Sequence, residues 1–132
     1  MNFDNRYVYI ILAIIVLASV MGGGFDLLSI LFTIPGVLLA ITFHEYAHAI
    51  VAYKLGDDTP KVQGRLSLNP FTHLDPIAVV LLVFTHIGWG RPVEINPNNF
   101  NKKISAKTGE AIVAAAGPIM NFLLAIVLTI IL

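Results

Sequence analysis

Residues 27–48 read Leu-Leu-Ser-Ile-Leu-Phe-Thr-Ile-Pro-Gly-Val-Leu-Leu-Ala-Ile-Thr-Phe-His-Glu-Tyr-Ala-His. No charge appears from Leu27 to Phe43, and the last five residues spell H-E-x-x-H. On a helix, residues four apart share a face, so His44 and His48 can reach one metal ion. Glu45 falls beside them, where its carboxylate can take a proton from a metal-bound water. Ionisable groups in a spanning segment are costly and usually functional. The stretch therefore predicts a membrane-embedded helix that carries a metal site.

The rest of the chain fits that reading. Of its 132 residues, 57% are hydrophobic and 12% charged, against about 25% charged in soluble domains. Mean hydropathy is +0.82. Net charge is zero, which gives no electrostatic footprint for a nucleic-acid partner. The absence of cysteine excludes disulfides and thiolate metal ligands. Arg6 before an apolar run resembles a signal peptide, but no A-x-A site follows and the run meets Gly22-Gly23-Gly24. It reads as a retained first span.

Three segments approach the roughly 20 apolar residues a spanning helix needs, at about 7–22, 27–55 and 109–132. Pro35-Gly36 is expected to kink the second, Gly56 to end it, and Lys54 to snorkel to the headgroups. A fourth apolar run, 76–89, is too short to cross and reads as re-entrant or interfacial. Loop charges agree. If 76–89 returns to its own side, all eight Lys and Arg share one side of the membrane. By the positive-inside rule the N-terminus, the 56–108 region and the metal site then face the cytoplasm. Between turns, Val62–Leu68 alternates with period two, and Pro92–Pro97 offers a second short strand. The expected fold is an all-α membrane protein of one domain, 1–132. It has about three transmembrane helices, the re-entrant segment and a short β-hairpin-like element.

Several pieces, in order, resemble the site-2 protease family of intramembrane zinc metalloproteases, in its compact prokaryotic branch. They are Phe43-His44-Glu45-Tyr46-Ala47-His48, Tyr53-Lys54-Leu55-Gly56-Asp57 and Gly64-Arg65-Leu66-Ser67-Leu68-Asn69-Pro70. His73-Leu74-Asp75-Pro76, Gly88-Trp89-Gly90-Arg91-Pro92-Val93 with Asn96-Pro97, and Ala116-Gly117-Pro118-Ile119-Met120-Asn121 follow. The resemblance implies one zinc ion held by His44 and His48, with Glu45 as general base and zinc-activated water as nucleophile. It also implies a third ligand, an aspartate in an L-D-G motif. That motif is missing before Leu132, so the chain is expected to be the front portion of such an enzyme and poorly active or inactive alone. Ala78 and Gly90-Arg91 depart mildly from the family pattern.

Other residues carry competing readings. His44, Glu45 and His48 would, on the plainest account, hydrogen-bond neighbouring helices, or serve a metal-binding or transport module or a non-catalytic membrane protein. Asp75 stands where it could supply a third ligand, but Asp75-Pro76 is also a helix cap followed by proline. His73 reads as a loop or supporting residue, and His86 as an interfacial one beside Trp89. Gly64, Arg65, Leu66, Ser67 and Leu68 form a candidate edge strand that could hold an extended substrate by backbone pairing. Gly117 permits close helix approach, and Asn121 can support the metal-bearing helix by a hydrogen bond. The expected partners are a transmembrane protein or peptide substrate and the lipid bilayer. A homo-oligomer is admitted, and nucleic acid is not expected.

Overall fold

The computed structural model describes residues 5–24 and 26–132. Among these residues five α-helices run in the order α1 Asn5–Met21, α2 Leu27–Lys54, α3 Thr59–Val62, α4 Pro76–Thr85 and α5 Ala106–Ile131. Two 3₁₀ turns, Pro70–Thr72 and Pro97–Asn99, lie in the connections.

Among the described residues two helices are long and apolar enough to cross a membrane, α2 with 28 residues and α5 with 26. Only 11% of the apolar stretch of each is buried inside the molecule. The core helix of a soluble protein would be mostly covered, so these exposed apolar surfaces associate the chain with a membrane. α1 is helical as expected, with 17 residues, at the lower end of the length that crosses a bilayer. α4 has 10 residues, about 15 Å, so it cannot cross. Pro35 lies inside α2, which continues through it.

The chain groups into two compact units. One takes in Met1–Gly36 and Asp75–Trp89. Here α1 packs on α4, the Ser19 hydroxyl donates to the Phe84 carbonyl, and Ala78 and Leu82 are buried. Asp75 caps α4, its Oδ1 accepting from the N–H groups of Ile77 at 2.8 Å and Ala78 at 3.4 Å. Pro76 occupies the first helical position, where no N–H is needed. His86 ends the helix in the left-handed region at φ 60°.

The other unit takes in Val37–Leu74 and Gly90–Leu132. It holds most of α2 and all of α5. Ala47, Ala49 and Ala52 of α2 and Gly109, Val113 and Gly117 of α5 are buried. Small side chains at these positions let helix backbones approach closely. Phe100 lies against Gly109, where an added Cβ would come within 2.3 Å of its ring.

Asp57, fully buried, organises the connection after α2. Its Oδ1 accepts from the Thr59 N–H at 3.0 Å, the Thr59 hydroxyl at 2.6 Å and the Asn99 amide at 3.0 Å, and its Oδ2 from the Asn96 N–H at 2.7 Å. Burial pushes its pKa up, but the donors from Thr59, Asn96 and Asn99 outweigh it and hold it below the ordinary carboxylate value. Asp57 thereby fastens 96–99 to the end of α2. The Asn101 N–H donates to Leu55 O at 2.7 Å and reinforces the same joint.

The hairpin expected from 62–68 and 92–97 does not form. Among the described residues the extended pairing reduces to one isolated antiparallel bridge, Leu74 with Gly90. Val62 closes α3 instead, which Pro60 and the Asp57 turn initiate. Gly64 then turns the chain at φ +71°. On the other side, Pro92 and Pro97 lack the N–H that a ladder requires.

Candidate metal centre

His44 and His48 stand one turn apart on α2, and their ring centroids are 4.7 Å apart with the planes at 83°. Ligating atoms of His44, Glu45 and His48 lie within 4.8 Å of one another, and all three residues are half-buried. The two rings point toward one place on α5. A Cβ added to Gly117 would sit 2.5 Å from His48 Nε2 and 2.6 Å from His44 Nε2. Any side chain there would occupy the space that the two nitrogens face. Gly117 thus lets α5 approach both imidazoles closely.

The outer nitrogens are also held. His48 Nδ1 lies 2.6 Å from the carbonyl oxygen of Val113. A carbonyl only accepts, so Nδ1 carries the proton and Nε2 keeps its lone pair. That is the tautomer a metal ligand needs. His44 Nδ1 lies 3.2 Å from the side-chain amide of Asn121. Glu45 is anchored from the other side, its Oε2 accepting the Val93 N–H at 3.2 Å. Gly90 stands beside it, where an added Cβ would lie 3.3 Å from Glu45 Oε1.

Two clefts flank Glu45. One of about 270 Å³ is bounded by Val37, Ala40, Ile41, His44, Gly90 and Asn121 as well. The other, about 210 Å³, is bounded by His48, Pro92, Val93, Ile95, Glu110 and Val113 among others. The donor set therefore fits a divalent ion that favours nitrogen and oxygen ligands, with room beside it for a substrate. Zinc is the ion this chemistry suits. Catalytic zinc takes three protein ligands, and the two imidazoles provide two of them.

The other sequence candidates make contacts of their own. Asp75 spends its carboxylate on the α4 cap. His73 is fully buried, with Nε2 2.7 Å from Ser67 O. His86 is exposed at the end of α4. Gly64–Leu68 lies in irregular chain, with the Arg65 N–H donating to Pro60 O at 2.8 Å. Two contributors carry no side-chain signal, the Val113 carbonyl and the Val93 N–H. Both are backbone groups, so no residue type announces them. Proline at 92 is the one hint, since it fixes its own φ and biases the residue before it toward extended backbone.

The chain is 45% identical over 91 residues, 69% of its length, to a Bacillus subtilis protein named "Putative zinc metalloprotease YwhC". It is 30% identical over 101 residues to a Mycolicibacterium smegmatis protein named "Putative zinc metalloprotease Rip2". Over 99 residues it is 30% identical to the Mycobacterium tuberculosis protein of the same name. The chain spans 40% of the first relative and 37% of each of the others. No family model and no solved structure matches it. These relatives bear out the kinship read from the ordered motifs.

Proposed function

On the premise that the chain is one of the site-2 protease family, we propose that it carries the metal-binding part of a zinc-dependent endopeptidase acting in or near transmembrane segments of membrane-protein substrates. The observation that supports this most is the convergence of His44 Nε2 and His48 Nε2 on the space over Gly117, with the Glu45 carboxylate alongside. These histidines would hold one zinc ion per chain. By the family resemblance an aspartate completes the set.

Zinc, when bound, polarises a peptide carbonyl and makes a coordinated water far more acidic. Glu45 is the group placed to accept that water's proton and to deliver it to the leaving amine. The Val93 N–H holds Oε2 of Glu45, so Oε1, on the Gly90 side, is the oxygen that exchanges the proton. A scissile bond inside a helix is shielded by its own hydrogen bonds, so the substrate must be extended locally. Besides Gly64–Leu68, the segment Pro92–Ile95 is a candidate to hold it. It borders Glu45 and His48, and among the described residues the Glu94 and Ile95 N–H groups have no protein acceptor. Such groups can pair with an extended peptide without demanding a sequence. The polar connections and this site would face the cytoplasm, where the positive-inside rule places the basic loops.

The test is Glu45→Gln in the full chain joined to the aspartate-bearing segment that the family resemblance implies, with zinc content and cleavage of a single-span reporter measured together. Zinc retained and cleavage reduced about 10²–10⁴-fold is expected from loss of a general base. Cleavage at the wild-type rate would remove Glu45 from that role. Zinc binding without any cleavage, in wild-type protein joined to the aspartate-bearing segment that the resemblance implies, would favour a metal-binding module instead.

A further inference from the structure

Asn121 is placed one helical turn beyond Gly117 on α5, beside His44. Its side-chain nitrogen is 3.2 Å from His44 Nδ1, while its Oδ1 is buried with no hydrogen-bond partner among the described residues. In that orientation the amide donates to His44 Nδ1. The neutral ring must then carry its proton on Nε2, the atom aimed at the space over Gly117. A protonated Nε2 cannot ligate a metal. His48, by contrast, has its Nδ1 proton committed to the Val113 carbonyl and its Nε2 free.

The two ends of an amide differ only in which is oxygen and which is nitrogen, and that choice follows from the hydrogen-bond network. With the amide turned over, Oδ1 accepts from His44 Nδ1–H, and the amide nitrogen takes the buried place where no protein partner stands. Both histidines then present Nε2 lone pairs to one point. We propose that Asn121 is a positioning residue for the metal centre: its amide oxygen fixes the His44 tautomer and ring orientation, the role that the Val113 carbonyl performs for His48. This rests on the metal-site reading above and extends it to a residue with no ligand atom of its own. An apolar residue at 121 would fill similar space but leave His44 Nδ1 without an acceptor.

The experiment reads zinc affinity and tautomer, so it does not depend on cleavage. The full chain in detergent is titrated with zinc against a competing chelator, for wild type, Asn121→Leu and Asn121→Asp. Removing the acceptor in Asn121→Leu is expected to weaken zinc binding about 10–100-fold, the usual cost of losing a partner behind a ligating histidine. Asn121→Asp keeps an acceptor and is expected to hold affinity within about threefold of wild type or tighten it. Equal affinity in Asn121→Leu and wild type would overturn the proposal. So would equal weakening in both variants, which would assign Asn121 to packing. Nitrogen-15 NMR of the metal-free wild type gives a readout that needs no variant. At a pH where His44 is neutral, the proton is expected on Nδ1, and a ring protonated on Nε2 would overturn the assignment. Loss of zinc binding in none of His44→Ala, His48→Ala and Asn121→Leu would instead strike the metal-site reading itself.

Discussion

The backbone N–H of Val93 donates to Glu45 Oε2 across 3.2 Å, joining the connection before α5 to the middle of α2. On the role proposed for Glu45, this bond leaves Oε1 as the oxygen that exchanges the proton. Val93→Pro removes the donor while leaving both histidines untouched. A hydrogen bond to a charged group is worth about 1.5–3 kcal/mol, and every 1.36 kcal/mol is about tenfold in rate. Cleavage is expected to fall about tenfold or more, with zinc content unchanged. Equal loss of zinc and activity would show that the segment only supports the fold.

Gly117 gives a separate prediction. Its Cβ would intrude to 2.5 Å from one Nε2 and 2.6 Å from the other. Gly117→Ala raises helix propensity by about 1 kcal/mol at that position, so the helix itself is not weakened. Zinc affinity is nevertheless expected to drop at least about tenfold, because the methyl group takes the space the ion needs. Chelator competition, with helical content followed by circular dichroism, checks both halves. Unchanged affinity would place the ion elsewhere.

The Asp57 hub predicts an acid-sensitive stability. Its folded pKa lies below the ordinary value. A depressed carboxylate contributes stability that is present above the unfolded pKa of about 3.9. That contribution is lost as pH falls below about 3.9 and through the lower folded value. Asp57→Ala also leaves the Asn96 N–H and the Asn99 amide without this acceptor, which costs about 2–3 kcal/mol. Thermal unfolding between about pH 2 and 7 is expected to show the variant less stable at neutral pH and flatter across the acid limb. Parallel curves would contradict the role given to this carboxylate.

The side of the membrane is open to direct labelling, because the chain contains no cysteine. Lys61→Cys and Asp26→Cys place single thiols at two exposed positions in different connections. With the basic loops inside, a membrane-impermeant reagent added to intact cells is expected to label position 26 and spare position 61. The reverse pattern would invert the orientation proposed for the site.

Much of the site was legible because helix periodicity is a local property. H-E-x-x-H in an apolar run implies two rings on one face, and the fold places them 4.7 Å apart, centroid to centroid. Asp75-Pro76 likewise announced a cap, and Asp75 accepts the N–H groups that a cap accepts. Period-two alternation at 62–68 misled because a strand exists only with a partner at the right register. Pro60, the Asp57 turn and Gly64 took that stretch into a helical turn and a loop before any pairing could form.

From residue order alone came the apolar spans, the metal-ligand spacing and the small residues that let α2 and α5 lie close. All of these follow from covalent spacing along one helix and from the cost of placing charge in hydrocarbon. What folding in three dimensions decided was the accompaniment. It set Val113 O on His48, Asn121 on His44, Val93 N–H on Glu45, and Gly117 beneath both imidazoles. Those pairings join residues 48 to 77 positions apart, and two of them use backbone atoms common to every residue. No local pattern can encode such a contact, so only the packing of α5 and its preceding connection against α2 could supply it.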